Sequence, residues 1–293
     1  MVAMDRIMQL LYQMVQMSIL NQYEDSSMLR RRPLIGMRSE KVMRTEFLKK
    51  MNGIVFDKEF DSVDTVIFSA FLDERCVSYI ETFPREEKIL LITHHFFDMD
   101  CGTPGKNNGR TFSFLEYERL IRLYDRNVQI CSIHLPLDVN SSRINTHAAL
   151  CRKVWKMTGR DLLKYSFGNM GYEIEGVQLI PPEKEFHQIA EYGCGANPAH
   201  KKIAVVSGVI SNAEMLQTMV RRGCGVCICG DVLVRNQSER TREMEKFLNT
   251  LPMSVYCISH YQSEIPALEE MAMELKAIPE VRVIVMKEEE LWK

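Results

Sequence analysis

Short segments rich in β-branched and aromatic residues alternate with helical patterns along this chain, and that order constrains the fold more than any other feature. The predicted strands are 63–68, 88–92, 128–133, 202–206, 225–229, 254–258 and 281–286. Helical spacing of apolar residues is found near 74–81, 114–126, 142–157, 211–222, 238–250 and 264–277. This alternation is typical of α/β proteins with parallel or mixed sheets covered by helices.

The chain of 293 residues is long enough for one large core or two modest ones. The regular pattern weakens over 168–201, where glycine and proline are frequent. We therefore predict two similar α/β lobes, a first at 1–167 and a second at 202–293, joined by a connecting segment at 168–201. The two lobes are expected to form one structural unit.

Composition disfavours nucleic-acid and membrane partners. The net charge is −2 and the sequence pI is about 6.4, so no global positive field is available to hold an anionic polymer or surface. The first twenty residues are rich in apolar side chains at helical spacing, interrupted by polar ones, which indicates a packed amphipathic helix. We expect a cytoplasmic protein without a membrane span or a signal peptide.

The nine cysteines are scattered, which in a reducing compartment indicates free thiols. Cys224, Cys227 and Cys229 include one C-x-x-C pair. A structural zinc site usually has a second pair at similar spacing, and these cysteines lie in an apolar strand. Buried thiols that act as small apolar side chains are the favoured interpretation, and a zinc site is the alternative.

Candidate metal ligands follow three of the predicted strands directly. Ligands of open α/β sheets collect outside the carboxyl ends of strands, so groups distant in sequence can converge there. Two of the three histidine groups have a carboxylate four residues later, and we predict a metal site between the lobes. In chain order, the residues at these strand ends are His94, His95, His134, Asp138, His260 and Glu264.

The adjacent pair His94 and His95 indicates a site with two metals, because neighbouring side chains point in different directions. If a helix begins near His260, Glu264 lies one turn away on the same face, and its two oxygens can bridge two cations. A donor set of nitrogen and oxygen suits zinc, iron, manganese or cobalt. Two such ions favour metal-assisted hydrolysis. Core histidines bound to backbone carbonyls remain the alternative.

The motifs are Thr-His-His at 93–95, Ser-Ile-His-Leu-Pro-Leu-Asp at 132–138 and Ser-His-Tyr-Gln-Ser-Glu at 259–264. In type and order they resemble those of the NGG-one-interacting-factor-three-like family, whose members are known as GTP cyclohydrolase I type 2 homologues. The family's W-D-N-x-G-L stretch has no clear counterpart here. The loop at 96–109 also departs from the family pattern after the histidine pair.

The resemblance implies two divalent metal ions per chain. His95 and Asp138 would bind one ion, His94 and His260 the other, and Glu264 would bridge them. His134 would then be a proton-transfer group close to the metals, so that His134 and Glu264 are the catalytic residues. The resemblance also implies a homo-oligomer, in the form of a hexamer.

Two classes of function follow from the resemblance. The leading one is a dinuclear metal-dependent hydrolase that opens the ring of a purine nucleotide such as GTP. The other is a non-catalytic hexameric scaffold or metal-delivery protein with the same ligands. The chain has no G-x-x-x-x-G-K phosphate loop, so Arg143, Arg235 and Lys106 are the candidate phosphate contacts.

Overall fold

A computed structural model gives the fold. It describes residues 2–15, 24–29, 35, 37–96, 98–100, 111–113, 116–139, 142–158, 172–175, 190–194, 202–210, 212–232 and 239–287. These described residues form two compact units, the first within 1–101, 111–145 and 268–290 and the second within 146–267. Among them, no helix has the length and apolar character needed to cross a membrane.

Fourteen strands and eleven helices are found in the described residues. The strands are β1 Val2–Ala3, β2 Gly53–Ile54, β3 Ser62–Val63, β4 Thr65–Phe71, β5 Ile89–His95, β6 Asp98–Asp100, β7 Thr111–Ser113, β8 Val128–Ser132, β9 Tyr172–Glu175, β10 Ala190–Tyr192, β11 Lys202–Ile210, β12 Cys224–Val232, β13 Ser254–Cys257 and β14 Arg282–Val285. The helices are α1 Met4–Met14, α2 Ser26–Leu29, α3 Met37–Glu40, α4 Thr45–Lys50, α5 Glu74–Glu81, α6 Tyr117–Tyr124, α7 His134–Asp138, α8 Thr146–Thr158, α9 Ala213–Arg221, α10 Glu239–Leu248 and α11 His260–Leu275.

The first unit contains a mixed five-stranded sheet with the order β14-β4-β5-β8-β2. The first four strands are parallel, and β2 pairs antiparallel with β8. Every residue of β4 and β5 is buried, as expected for parallel strands covered on both faces. Side chains of α5 and α6, among them Val77, Ile80 and Leu123, join Ile67 and Leu91 in the core.

The second unit contains a mixed sheet with the order β10-β13-β12-β11-β9. Its three central strands are parallel and both edge strands are antiparallel. Successive residues of β12 enter two different cores: Val226 and Ile228 pack with α8, whereas Cys227 and Cys229 pack with α9 and α10. This alternation across the sheet explains why a central strand has an unbroken apolar sequence.

The predicted fold class is confirmed, since all seven predicted strands and all six predicted helices are present in an α/β arrangement with mixed sheets. The amphipathic segment near the N-terminus forms α1, which buries Ile7, Leu11 and Met14. Helix α11 begins at His260, four residues before the helical pattern of the sequence, so Pro266 lies inside it. Hydrogen bonds to Ser259 Oγ and Ile258 O fix that earlier start.

The observed division of the chain differs from boundaries at 167 and 202. Helix α8 belongs to the second unit, because Leu150 and Val154 pack on Ile203 and Val205 of β11. Strand β14 belongs to the first unit, because it pairs in parallel with β4. Within 168–201, the described residues form edge strands β9 and β10 of the second sheet. Strand pairing and helix packing between distant segments therefore determine to which unit each element belongs.

The C-x-x-C cysteines are core residues of the second unit. Cys224, Cys227 and Cys229 are fully buried among apolar side chains, and Cys229 Sγ lies 3.8 Å from Cys257 Sγ. A hydrogen bond with Cys227, together with burial, raises the pKa of the Cys229 thiol well above its usual value. Because the thiolate is the form that binds metal, this environment favours the packing interpretation.

Candidate metal centre

Strand β5 delivers the histidine pair to the carboxyl edge of the first sheet. It lies between β4 and β8, and Phe71 of β4 is in register with His95. The backbone N–H of Ile133 donates to Thr93 O at 3.0 Å, so the chain after β8 remains beside β5 at this edge. His94 is 0% exposed and His95 is 1% exposed. Two buried imidazoles therefore lie where the sequence predicts ligands.

Three imidazole rings meet in the first unit. The ring centroids of His94 and His95 are 4.4 Å apart, and that of His134 lies 4.8 Å from His94 and 4.6 Å from His95. Each ring offers one nitrogen such that the three nitrogens are within 4.8 Å of one another. Phe71 stacks on His95 at 4.6 Å and holds its plane. Such a group is suited to a cation, because neutral imidazole is a common metal ligand.

Helix α7 adds a carboxylate to the same group. His134 opens this short helix and Asp138 ends it, so both side chains lie on one face. Asp138 Oδ1 lies 3.4 Å from His94 Nε2, and Asp138 Oδ2 lies 3.5 Å from His134 Nε2. The first unit therefore brings together four of the predicted site residues, His94, His95, His134 and Asp138.

Asp25 is a member of this site that sequence reasoning missed. Its Oδ2 lies 2.5 Å from His134 Nδ1, although 109 positions separate the two residues. Asp25 also accepts the backbone N–H of Met28 and so caps α2. The sequence signal at Asp25 is that of an ordinary N-cap, an acidic residue before two serines. Nothing in the spacing connects it to a histidine.

The second unit holds the other pair of predicted ligands. Helix α11 begins at His260, and His260 Nε2 lies 2.7 Å from Glu264 Oε1, one turn later. Both side chains are buried. Ser263 fixes this turn, because its Oγ donates to His260 O and accepts the N–H of Gly208. The His-x-x-x-Glu spacing thus forms a close pair on one helix face, as predicted.

Gly208 keeps space open in front of this pair. It lies in an irregular part of β11 with φ of +73°, a conformation that L side chains rarely adopt. A Cβ at this position would be 3.3 Å from Glu264 Oε1 and 3.6 Å from His260 Nε2. Glycine therefore leaves room beside both ligand atoms, which fits a bound ion.

The donors of both units are nitrogen and oxygen only. Imidazole and carboxylate together suit zinc, iron, manganese or cobalt, so the residues present fit the metals expected from the motifs. His94, His95, His134 and Asp138 are grouped within the first unit, and His260 and Glu264 within the second. That the two groups bind a single dinuclear centre stays a prediction.

Of the three candidate phosphate contacts, Arg143 lies among the described residues. Arg143 forms a bidentate ion pair with Glu274, in which both nitrogen–oxygen distances are 2.5 Å. That pair engages the guanidinium on the surface of the first unit. Lys106, Arg235 and most of the loop 96–109 lie outside the described residues. Of that loop, Phe96 is buried and β6 pairs antiparallel with β7.

Comparisons with known proteins agree with the motifs and the fold. The family model of Duf34/NIF3 (NGG1p interacting factor 3) matches residues 49–290. No curated protein matches the sequence. Reduced HcgD from Methanocaldococcus jannaschii is similar in structure, with a TM-score of 0.56, 14% identity, and 98% of each chain covered.

Two further solved structures share the fold. The Staphylococcus aureus hypothetical protein SA1388 has a TM-score of 0.52 at 16% identity, covering 97% of this chain and 95% of its own. The protein ybgI, described as of unknown function, has a TM-score of 0.54 at 12% identity, covering 78% of this chain and 86% of its own. At these identities the likeness concerns the fold alone.

Proposed function

The chain belongs to the Duf34/NIF3 family, and from that premise we propose that it is a dinuclear metal-dependent hydrolase acting on a purine nucleotide such as GTP. The observation that supports metal binding most directly is the buried group of His94, His95 and His134, whose ligand nitrogens lie within 4.8 Å of one another. A cluster of three imidazoles without a cation places several polar rings in an apolar interior, which is costly.

We assign the ligands as the motifs imply. His95 and Asp138 would hold one ion, His94 and His260 would hold the other, and Glu264 would serve both. Divalent ions supply Lewis acidity and a more acidic water to a hydrolytic reaction. His134 takes a proton at Nε2, because Nδ1 is engaged by Asp25. His94, His95 and Glu264 are buried, and the low dielectric constant around them strengthens their electrostatic effect.

Substrate and assembly are the parts of the proposal that rest on the resemblance. A purine nucleotide is proposed as the substrate, with water as the second reactant and a ring-opened nucleotide as the product. A cytoplasmic homo-hexamer is proposed as the functional form, without nucleic acid or membrane as partners. Light scattering in solution checks the assembly, since a hexamer has six times the 34.0 kDa mass of one chain.

Replacement of Glu264 tests the metal assignment. Glu264→Gln is expected to reduce the bound metal from about two ions per chain towards none, because a bridging ligand serves both ions. His94→Ala is expected to leave about one ion. Elemental analysis of the purified proteins gives these numbers. Glu274→Gln is the matched control, since it makes the same change on the same helix at a residue paired with exposed Arg143. Equal metal content in all four proteins would refute the assignment.

An assay of GTP turnover distinguishes a hydrolase from a non-catalytic scaffold. The metal-loaded protein is incubated with GTP, the products are separated, and their masses are measured by mass spectrometry. A hydrolase forms a product heavier than GTP by one water, and His134→Ala abolishes its formation while circular dichroism shows an intact fold. Metal binding without any GTP-derived product would favour the scaffold or metal-delivery protein.

A further inference from the structure

Asp25 is a buried carboxylate that the backbone holds firmly in place. It is 2% exposed, its Oδ1 accepts the N–H of Met28 at 3.0 Å, and its carbonyl accepts the N–H of Leu29 at 2.8 Å. Its own N–H donates to Lys50 O at 3.0 Å. These three hydrogen bonds involve Oδ1 and the backbone of Asp25. The other carboxylate oxygen, Oδ2, faces a residue that is distant in the sequence.

That residue is His134, which the carboxylate meets at the imidazole ring. Oδ2 of Asp25 lies 2.5 Å from His134 Nδ1, which is shorter than the usual 2.7–2.9 Å of a charge-assisted N–H···O bond. An ionised carboxylate only accepts hydrogen bonds, so the ring nitrogen is the donor. A neutral imidazole with its hydrogen on Nδ1 has its lone pair on Nε2. The contact therefore selects one of the two neutral tautomers of His134.

The opposite edge of the ring faces the metal-ligand group. His134 Nε2 lies 3.5 Å from Asp138 Oδ2, and Asp138 Oδ1 lies 3.4 Å from His94 Nε2. Both distances are long for a hydrogen bond between nitrogen and carboxylate. Asp138 thus lies beside both imidazoles of the candidate site.

We propose that Asp25 is a positioning residue for His134: it fixes the ring and its Nδ1–H tautomer, so that the lone pair on Nε2 faces the metal-ligand group. Carboxylates bound to the far nitrogen of a histidine play this part at many metal sites, and their loss weakens metal affinity. The proposal rests on the metal site of the proposed function. It adds a residue that lies outside all three motifs.

Asp25→Asn tests the proposal, because an amide has one acceptor oxygen and cannot serve both Met28 N–H and His134 Nδ1–H. Nitrogen-15 NMR of the metal-free protein gives the tautomer of each histidine, and His134→Ala assigns the signal. Titration with zinc gives the affinity. We expect Nδ1–H in the wild type and a shift towards Nε2–H in Asp25→Asn. Zinc should bind about 10–100-fold more weakly to that variant, because the hydrogen on Nε2 then faces the cation site.

Asp73→Asn is the matched control, because Asp73 likewise caps a helix of the same unit, α5, by accepting the N–H of Cys76. It should keep the wild-type tautomer and zinc affinity. The proposal is overturned if Asp25→Asn also keeps both, or if the two variants weaken zinc binding equally. If the wild type binds no zinc, the proposed function fails instead, and the tautomer comparison still decides the part of Asp25.

Discussion

At Gly208 the backbone itself makes room for the proposed ligands. The residue has φ of +73°, and its missing Cβ leaves space beside Glu264 Oε1 and His260 Nε2. Gly230 acts similarly on the neighbouring strand, since a Cβ there would lie 2.5 Å from Ser263 Oγ and 2.6 Å from Gly208 O. Two glycines on adjacent strands therefore permit the close approach of the first turn of α11.

Gly208→Ala is predicted to reduce metal binding in addition to destabilising the fold. The left-handed conformation costs alanine about 1–2 kcal/mol. The added methyl group would also crowd Glu264 Oε1, at 3.3 Å. Gly223→Ala is the control, because Gly223 has φ of +83° and a methyl group at that position would meet nothing within 4 Å. Urea unfolding should show similar losses for both variants, whereas elemental analysis should show metal loss only for Gly208→Ala. Equal metal content would contradict the steric part of this argument.

At the scale of elements, helices α5 and α6 are joined by a cluster of ion pairs. Arg122 donates from Nε to Glu81 Oε1 at 2.8 Å and from Nη1 to Glu74 Oε1 at 2.8 Å. Arg119 donates to Glu74 Oε2 at 3.0 Å. The apolar faces of both helices cover the first sheet, so this cluster lies on their outer side.

Glu81→Gln is predicted to lower the free energy of unfolding by about 0.5 kcal/mol at pH 7, a small value because the pair is partly exposed. The hydrogen bond from Arg122 lowers the pKa of Glu81 in the folded state. Because the pKa of Glu81 is lower in the folded state, its ionised form stabilises the fold fully at pH values above the usual pKa, near 4.5. That contribution is lost as the pH falls through the folded-state pKa.

Urea unfolding at pH 7 and at pH 3 gives the free energy of unfolding of the wild type and of Glu81→Gln. The difference in this free energy between the two proteins should be smaller at pH 3. Glu118→Gln, an exposed position on α6, should differ little from wild type at either pH. A difference for Glu81→Gln that is as large at pH 3 as at pH 7 would contradict the ion-pair explanation.

At the scale of the whole molecule, each unit has its own apolar core around its own sheet. Metal removal is therefore predicted to lower thermal stability without unfolding the chain. An ion present at a hundred times its Kd stabilises the fold by about 2.7 kcal/mol, and a chelator removes that contribution. Melting followed by circular dichroism, with and without chelator, checks this, and Glu264→Gln should be insensitive to the chelator. Loss of the secondary-structure signal on chelation would contradict it.

The sequence determined the class of fold and the local elements. Apolar periodicity predicted the central strands and the packed helices, because burial imposes a period of two on strands and of 3.6 on helices. The motifs also identified the strand ends where His94, His95, His134 and Asp138 meet. The pair His260 and Glu264 could be predicted as well, since four residues make one helical turn.

Only the tertiary structure decided which distant groups meet. Asp25 contacts His134 across 109 positions, β14 pairs with β4, and α8 packs on β11. No local pattern encodes these contacts, because they depend on strand order and on side-chain packing across the sheet. The positive φ at Gly208 is likewise a consequence of the bulged strand β11 beside helix α11. The local sequence thus named the candidate ligands, whereas long-range packing decided which side chains lie beside them.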